Sequence, residues 1–436
     1  MDRQLQILEE RLANVENSAM FRAARWLGGT LAGWRNRLAP ASNSLAIPAE
    51  WIQEYREIQG EPPNVPMPEG YELVSGPNDL IDPGTTLWLA EAARRTGANL
   101  IYSDHASGGM PVFKPGWSPE LRDCCDYIGT TYLKTEGLRA KPDNGAVVHV
   151  PRVLWSTSSP VPAYSPTTPK GPFPKASIVV CSRNGRLLRT CLGSLEKTRY
   201  PDWEVVVVPH HIDASRAKRV RNCPYSGPFH WSRMNNIAVR ESRGDLVVLL
   251  NDDVTIIEPD WLKLLAHHAI RGEIGAVGAK LVYPNGSIQH AGVTLGMMDG
   301  CGHPGRGQFA TPVWPFTNMT RNVSAVTGAC MAVRREVFDK LGGFDEAFPV
   351  NYNDVDFCLR AIEAGYRNVF EPRALLRHDE CRTRRKGTLP GERATFRRRW
   401  STRLDAPDPY YSFAFRDDTE AIALRPTLEI ERLLRG

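Results

Sequence analysis

The chain has 436 residues, 42% of them hydrophobic and 24% charged, with a formal net charge of +5. That is ordinary globular material, long enough for two domains with real cores, and it excludes wholesale disorder. Nine cysteines, scattered and unpaired in spacing apart from the adjacent Cys124 and Cys125, exclude a zinc finger and a secreted disulfide framework.

Residues 1–49 read as an N-terminal amphipathic or coiled-coil helical segment. Leu5, Leu8, Leu12 and Val15 recur at alternating steps of three and four, which suits a helix of about two heptads. Residues 19–49 then hold Arg22, Arg25, Arg35 and Arg37 without any acid, beside Phe21, Trp26 and Trp34. Arg with Trp and Leu at helical spacing is the pattern of a helix lying in a membrane interface, although Gly28, Gly29 and Gly33 weaken it. An anionic membrane surface is therefore an expected partner. The sequence start reads as lacking a signal peptide, and no apolar run approaches the roughly 20 residues that span a bilayer. The expected location is cytoplasmic, peripheral on the inner face of the cytoplasmic membrane, where Asn-X-Ser/Thr at Asn318 and Asn322 would carry no glycan.

Within residues 50–150, the run from Leu73 reads as strand, an Asn78-Asp79 pair, Pro and helix, and it echoes the stretch that begins at Val247. Seven prolines between Pro151 and Pro174 predict a linker over 151–174, because such density opposes regular structure.

The most informative stretch is VVLLNDDVTIIEPDWL, residues 247–262. Five apolar residues, Leu246 to Leu250, stop on Asn251, Asp252 and Asp253. This reads as a buried parallel strand whose carboxyl end opens into a crevice, the place where open α/β sheets bind ligands. Two carboxylates beside a carboxamide are hard oxygen ligands suited to a divalent cation that in turn holds phosphates. Capping of the helix that Pro259 and Asp260 begin is the alternative. In NYNDVDFCLRAIEAGYRNVFEP (351–372), Val355, Cys358, Leu359 and Ile362 share a helix face and Asp354 stands at its start, as a general base or as a partner of the helix dipole. His378 follows a short apolar stretch, where an imidazole can complete a metal site. Nine basic residues lie between Arg382 and Arg403 against the single acid Glu392. With only Phe396 and Trp400 to stack, this run suits a diphosphate or an anionic lipid, with a solvated helix face as the alternative, and nucleic acid is not an expected partner.

Taken together these motifs resemble the nucleotide-sugar-dependent family 2 glycosyltransferases over about residues 175–411. The resemblance is carried in order by SIVVCSRNGRLLRTCLGSL (177–195), YPDWEVVVV (200–208), PFHWSRMNN (228–236), LLNDDV (249–254), VGAKLVYPNGSIQHAGV (277–293), the TGAC and GGFDE segments, NDVDFCLR (353–360) and RHDE (377–380). It implies an α/β fold with a GT-A, Rossmann-like catalytic domain at 175–411, inverting chemistry, and a rhamnosyltransferase or polysaccharide-biosynthesis type of activity. Asn251 to Asp253 resembles the DXD motif, with Asp253 on the metal. Asp354 matches the catalytic base of the acidic ED motif, with Asn353 where Glu is usual, and His378 matches a further metal or diphosphate contact. Arg183, Asn184, Asn236, Asn251 and Asp252 are the implied donor-binding residues. Residues 50–150 become a partial, degenerate glycosyltransferase-like domain of structural or acceptor-binding role, and 412–436 a C-terminal tail. One departure bears on the donor: the second strand runs into Pro209, His210 and His211, where the family often has an Asp that contacts the nucleobase.

The expected activity is therefore that of a metal-dependent hexosyltransferase. It would use Mn²⁺ or Mg²⁺ to move a sugar from a nucleotide-diphospho-sugar to a saccharide or lipid-linked saccharide acceptor in cell-surface polysaccharide biosynthesis. Two rivals stand beside it. One is an inactive glycosyltransferase-like module that binds polysaccharide or a partner, suggested by Pro209 and Asn353. The other is a nucleotidyltransferase, for which SRNGRLL is a poor phosphate loop.

Overall fold

A computed structural model describes residues 54, 55, 58, 60–138, 146–159, 163–311, 314–380, 390–427, 429 and 430. The N-terminal helical expectation over 1–49, and the basic residues from Arg382 to Lys386, lie outside the described residues.

A first sheet forms from β1 (Tyr71–Val74), β2 (Asp79–Ile81), β3 (Leu100–Ser107), β4 (Met110–Val112), β5 (Tyr132–Thr135) and β6 (Val147–Thr157). Its order is β1-β5-β3-β6-β2, with β4 paired to β3. Helix α1 (Thr85–Thr96) lays Leu89 and Ala93 on Ile101, Leu133 and Leu154. The short α2 (Pro119–Arg122) is capped by Ser118, whose hydroxyl accepts from the Leu121 N–H.

The second sheet holds β7 (Ala176–Ser182), β8 (Trp203–Pro209), β9 (Val220–Asn222), β10 (Leu246–Leu250), β11 (Val254–Ile256), β12 (Ile274–Val282), β13 (Ile288–His290), β16 (Arg321–Val323), β17 (Cys330–Arg334) and β18 (Arg367–His378). A separate hairpin pairs β14 (Thr294–Leu295) with β15 (Cys301–Gly302). The order of the main sheet is β11-β18-β12-β17-β10-β7-β8-β9. Strands β10, β7, β8 and β9 run parallel, and β17 is antiparallel to β10. Helices α3 (Gly185–Leu195), α4 (Trp231–Glu241), α5 (Trp261–Ala269), α6 (Arg335–Lys340), α7 (Asn353–Glu363) and α8 (Pro390–Leu404) cover it.

The apolar run Leu246 to Leu250 is explained by burial on both faces. Leu246, Val248 and Leu250 pack with α3 and α5 residues such as Leu192 and Trp261. Val247 and Leu249 pack with Met234, Phe338 and Phe357 on the other side. A strand covered twice has no polar face to alternate, so it reads as a continuous hydrophobic run.

Three expectations are corrected here. The proline-rich stretch 151–174 is not irregular throughout, because β6 continues through Pro151 to Thr157 and pairs with β2 and β3. The sequence echo between Leu73 and Val247 is not an echo of position: among the described residues β1 is an edge strand paired only to β5, whereas β10 is flanked by β7 and β17. The Asp79 carboxylate tethers its own loop, accepting from the Gly76 N–H at 2.9 Å and the Thr130 and Thr131 hydroxyls at 2.6 and 2.7 Å. Finally, the described part of the C-terminal tail belongs to a core, since Ala414, Phe415 and Ile430 are fully buried with Phe113, Leu121 and Trp314.

The two sheets belong to one compact unit. Ser118 and Asn322 exchange hydrogen bonds through the Ser118 hydroxyl, at 2.8 and 2.9 Å. Glu120 of α2 accepts from Arg271 and Arg367 of the second sheet's side at 3.0 Å each.

Candidate active site

At the carboxyl ends of β7 and β10 lies a cavity of about 350 Å³, lined by Arg183, Asn251, Asp252, Asp253, Asp354 and His378 among others. Each element delivers its residue for a local reason. Strand β10 ends at Leu250, and the Asn251 N–H crosses to the Ala329 carbonyl at 3.0 Å, so the chain turns out of the sheet with its polar residues facing the opening. Strand β11 then returns against β18, pairing Val254 with His378. That register brings His378 Nε2 to 3.1 Å from Asp253 Oδ1. The capping alternative for Asp252 and Asp253 falls away, because β11 separates them from α5.

Asp252 is buried, and its Oδ2 accepts from the Ser182 hydroxyl at 2.6 Å. Burial pushes its carboxyl up to about 6, the neighbouring Asp253 charge adds to that, and the Ser182 hydrogen bond opposes it. Arg183 lays its guanidinium 5.0 Å from the Phe229 ring centroid at the same cavity.

Asp354 is the second residue of α7, and Tyr352 ahead of it takes φ 61. Its Oδ2 accepts from the Gly328 N–H at 2.8 Å and its Oδ1 from the Val355 N–H at 2.9 Å. Two backbone donors therefore fix the orientation of a carboxylate that lines the cavity. Gly328 is needed for this approach, since a Cβ there would come within 2.7 Å of the Trp231 ring. Asn353 is buried and accepts from the Asp354 N–H at 2.8 Å.

Two implied donor-binding residues do something else. The Asn184 side-chain oxygen caps α3, accepting from the Arg186 and Leu187 N–H groups at 3.0 and 3.2 Å. Asn236 is buried on α4 and exchanges hydrogen bonds with the backbone N–H and carbonyl of Phe344, both at 2.9 Å. Neither lines the cavity. At the end of β8, His210 takes over where Pro209 has no donor to give: its N–H reaches the Ser182 carbonyl at 2.8 Å, and its Nε2 lies 3.0 Å from the Gly227 carbonyl.

Sequence reasoning missed a further part of the cavity wall, made of Gln289, His303, Arg306, Glu380 and Glu420. Arg306 binds Glu380 through Nη2 and Glu420 through Nη1, the latter at 3.3 Å, and also donates to the Tyr283 hydroxyl at 2.7 Å. Burial alone would raise the Glu380 carboxyl, but the Tyr283 and Arg306 donors outweigh it and bring it to about 2. Glu380 ends the RHDE segment, so its motif was visible; Glu420 arrives from 40 residues further on and carried no local signal.

The donor set suits a divalent cation. Asp253 offers a hard carboxylate oxygen and His378 an imidazole, and the buried His378 Nδ1 has no partner among the described residues, an unsatisfied atom of the kind a ligand or ion would answer. No group of three or more His, Cys, Asp or Glu gathers as a metal cage among the described residues, so further ligands would have to come from a bound phosphate or from water.

The family model described as glycosyltransferase like family 2 matches residues 174–403. The chain belongs to that family. Proteins similar to it include O-antigen biosynthesis protein RfbC of Myxococcus xanthus, 39% identical over 372 residues, covering 67% of this chain and 29% of that protein. Uncharacterized protein y4gI of Sinorhizobium fredii is 39% identical over 283 residues, 58% of this chain and 30% of that protein. N-acetylglucosaminyl-diphospho-decaprenol L-rhamnosyltransferase of Mycobacterium tuberculosis is 30% identical over 151 residues, 31% of this chain and 48% of that protein. The chain thus spans less than a third of the first two. No described helix is long and apolar enough to cross a membrane.

Proposed function

We propose that the chain is an inverting hexosyltransferase that uses a divalent cation and a nucleotide-diphospho-sugar to glycosylate a saccharide or lipid-linked saccharide in cell-surface polysaccharide assembly. The observation that carries this reading is the meeting, in one cavity of a family 2 chain, of the Asp253 and His378 pair with a backbone-anchored Asp354. The relatives named for O-antigen biosynthesis and rhamnosyl transfer support the substrate class.

Asp354 takes the proton from an acceptor hydroxyl as that oxygen attacks the anomeric carbon, and the nucleoside diphosphate leaves on the opposite side, so configuration inverts in one displacement. The Gly328 and Val355 N–H groups hold the carboxylate in place for that transfer. Asp253 and His378 would hold Mn²⁺ or Mg²⁺, which supplies positive charge to offset the charge on the departing diphosphate. Arg183 faces the same cavity and is placed to meet the donor phosphates or ribose, and Asn251 and Asp252 to orient the donor beside it.

Turnover with UDP-glucose, UDP-N-acetylgalactosamine, GDP-mannose and dTDP-L-rhamnose, each with a mixed saccharide acceptor, in Mn²⁺ and in EDTA, tests the reading. Glycoside formation in Mn²⁺ and its loss in EDTA are expected; donor binding without turnover by any member would favour the inactive binding module. Residues 19–38 are proposed to bring the chain to an anionic cytoplasmic membrane face, each Arg adding about 1 kcal/mol near such a surface. Liposome co-sedimentation should fall when residues 1–49 are removed and when salt is raised.

A further inference from the structure

Beside the cavity lie two imidazoles, packed edge to face with centroids 5.1 Å apart, whose protons can be assigned. His290, fully buried on β13, and His303 approach through their Nδ1 atoms at 2.9 Å. Two bare nitrogens would repel, and two N–H groups would clash, so one Nδ1 carries a proton and the other accepts it. The Gly292 N–H, which can only donate, points at His290 Nε2 at 3.3 Å. His290 Nε2 is therefore the bare nitrogen of that ring, its proton sits on Nδ1, and His303 Nδ1 is the acceptor. The neutral His303 ring then has one place left for its own proton, Nε2.

The surroundings keep this order. Burial pushes the His290 imidazole well below its usual range, and the nearby Arg321 and Arg306 charges push the same way, so the ring stays neutral. Gly292 holds φ +93, and a Cβ on it would come within 2.7 Å of Val323, so the turn that aims its N–H admits only glycine. The His303 backbone N–H is anchored to Glu420 Oε1 at 2.9 Å.

Three of the charged groups around His303 are spent on one another: Arg306 binds Glu380 and Glu420. Among the described residues His303 Nε2 has no hydrogen-bond partner, although the residue lines the cavity. In the same wall the buried Gln289 Oε1 is an acceptor without a partner. A donor and an acceptor left over in the wall of the cavity that also holds Asp354 are groups that sugar hydroxyls can satisfy.

We propose that the chain Gly292, His290, His303 is a tautomer relay that presents a fixed Nε2–H of His303 to a hydroxyl of the sugar bound in this cavity. His303 is then the specificity-determining contact, and His290 a positioning residue that acts through it. The inference rests on the sugar-transfer reading for the identity of the ligand, but the tautomers themselves do not.

Long-range ¹H–¹⁵N spectra of the full chain labelled at histidine distinguish protonated from bare ring nitrogens. His290 should show a bare Nε2 and His303 a protonated Nε2; a protonated His290 Nε2 or a bare His303 Nε2 overturns the relay. UDP-glucose, dTDP-L-rhamnose and GDP-mannose are then added in one arm, free glucose, rhamnose and mannose in a second, and UDP, dTDP and GDP in a third. A shift of the His303 Nε2–H with the sugar nucleotides but not the bare diphosphates assigns the hydroxyl to the donor. A shift with the free sugars assigns it to the acceptor. No shift with any sugar-bearing probe overturns the contact, and so does a shift produced equally by the diphosphates alone.

His303→Phe should lower kcat/KM for the responding substrate by about 10- to 100-fold, the scale of one hydrogen bond to a substrate polar group, and His303→Gln, which keeps an N–H near Nε2, should recover part of it. Equal activity of both variants and the parent would remove His303 from recognition while leaving the transferase reading intact. Sugar-dependent shifts in a chain that transfers nothing would do the reverse.

Discussion

Asp354 and Asp356 stand two residues apart on α7 and meet opposite fates. The Asp354 carboxylate lines the cavity on two backbone donors. Asp356 is fully buried and gripped by Arg360 at 2.8 Å, Arg399 at 2.7 Å and the Trp400 indole at 3.1 Å. Asp354→Asn should therefore keep the fold and the donor affinity while turnover falls about 10²- to 10⁴-fold, the span of general base catalysis. Asp356→Asn should do the converse, lowering the melting temperature while each folded molecule retains its turnover; near-normal turnover in Asp354→Asn would move the base elsewhere. Asp252 gives the pH test. Its folded carboxyl is raised from 3.8 to about 6, so the stability it permits is fully present below about pH 4 and is lost as pH rises through about 6. In EDTA, Asp252→Asn should thus gain on the order of 2 kcal/mol at pH 7 relative to pH 4, since one pKa unit is worth about 1.4 kcal/mol. A mutant and parent whose melting curves stay parallel from pH 4 to 7 would refute that.

Elements were most legible where burial was two-sided. The runs in β7, β8 and β10 announced themselves because both faces pack, and α7 did so through Val355, Cys358 and Leu359, all buried. The polar residues following β10 were legible as a site because nothing apolar competes at a strand's carboxyl end. Residues whose partners are distant were not legible. Asn236 sits within a family motif, yet its carboxamide is consumed by the Phe344 backbone 108 positions away. Asn184 sits beside Arg183, but the start of α3 claims its oxygen. Asn236→Ala should consequently lower stability by about 1–3 kcal/mol, the cost of stranding buried backbone groups, and Asn184→Ala by about 1 kcal/mol as a lost helix cap. Donor KM should stay within about twofold in both, measured well below their melting temperatures. A tenfold rise in donor KM with unchanged stability would return either residue to the donor site. The Asn78-Asp79 pair failed as an echo for the same reason, since Asp79 answers the two threonines at 130 and 131.

At the scale of the whole molecule, the two sheets are joined by a buried charge and cannot be expected to melt apart. Glu120 is 1% exposed, and its Oε1 is shared by Arg271 and Arg367. Arg367 opens β18, the strand that ends in His378. The first sheet therefore braces the strand that supplies half of the Asp253 and His378 pair, although it contributes no side chain to the cavity. Removing one partner of a buried ion pair leaves charge uncompensated and costs about 3–5 kcal/mol; here the lower end applies, because both arginines are about a third exposed, at 31% and 32%, and water can reach them. Glu120→Gln should lower the melting temperature of the full chain by several degrees in one calorimetric transition. Hydrogen exchange should show β3 and β10 losing protection together, and turnover at low temperature should survive. Arg271→Gln should cost less than Glu120→Gln, because Arg367 still pairs with Glu120. Two resolved transitions in the parent, with the exchange of β10 untouched by Glu120→Gln, would mean that the first sheet is an independent domain and that His378 is positioned by β11 and β12 alone.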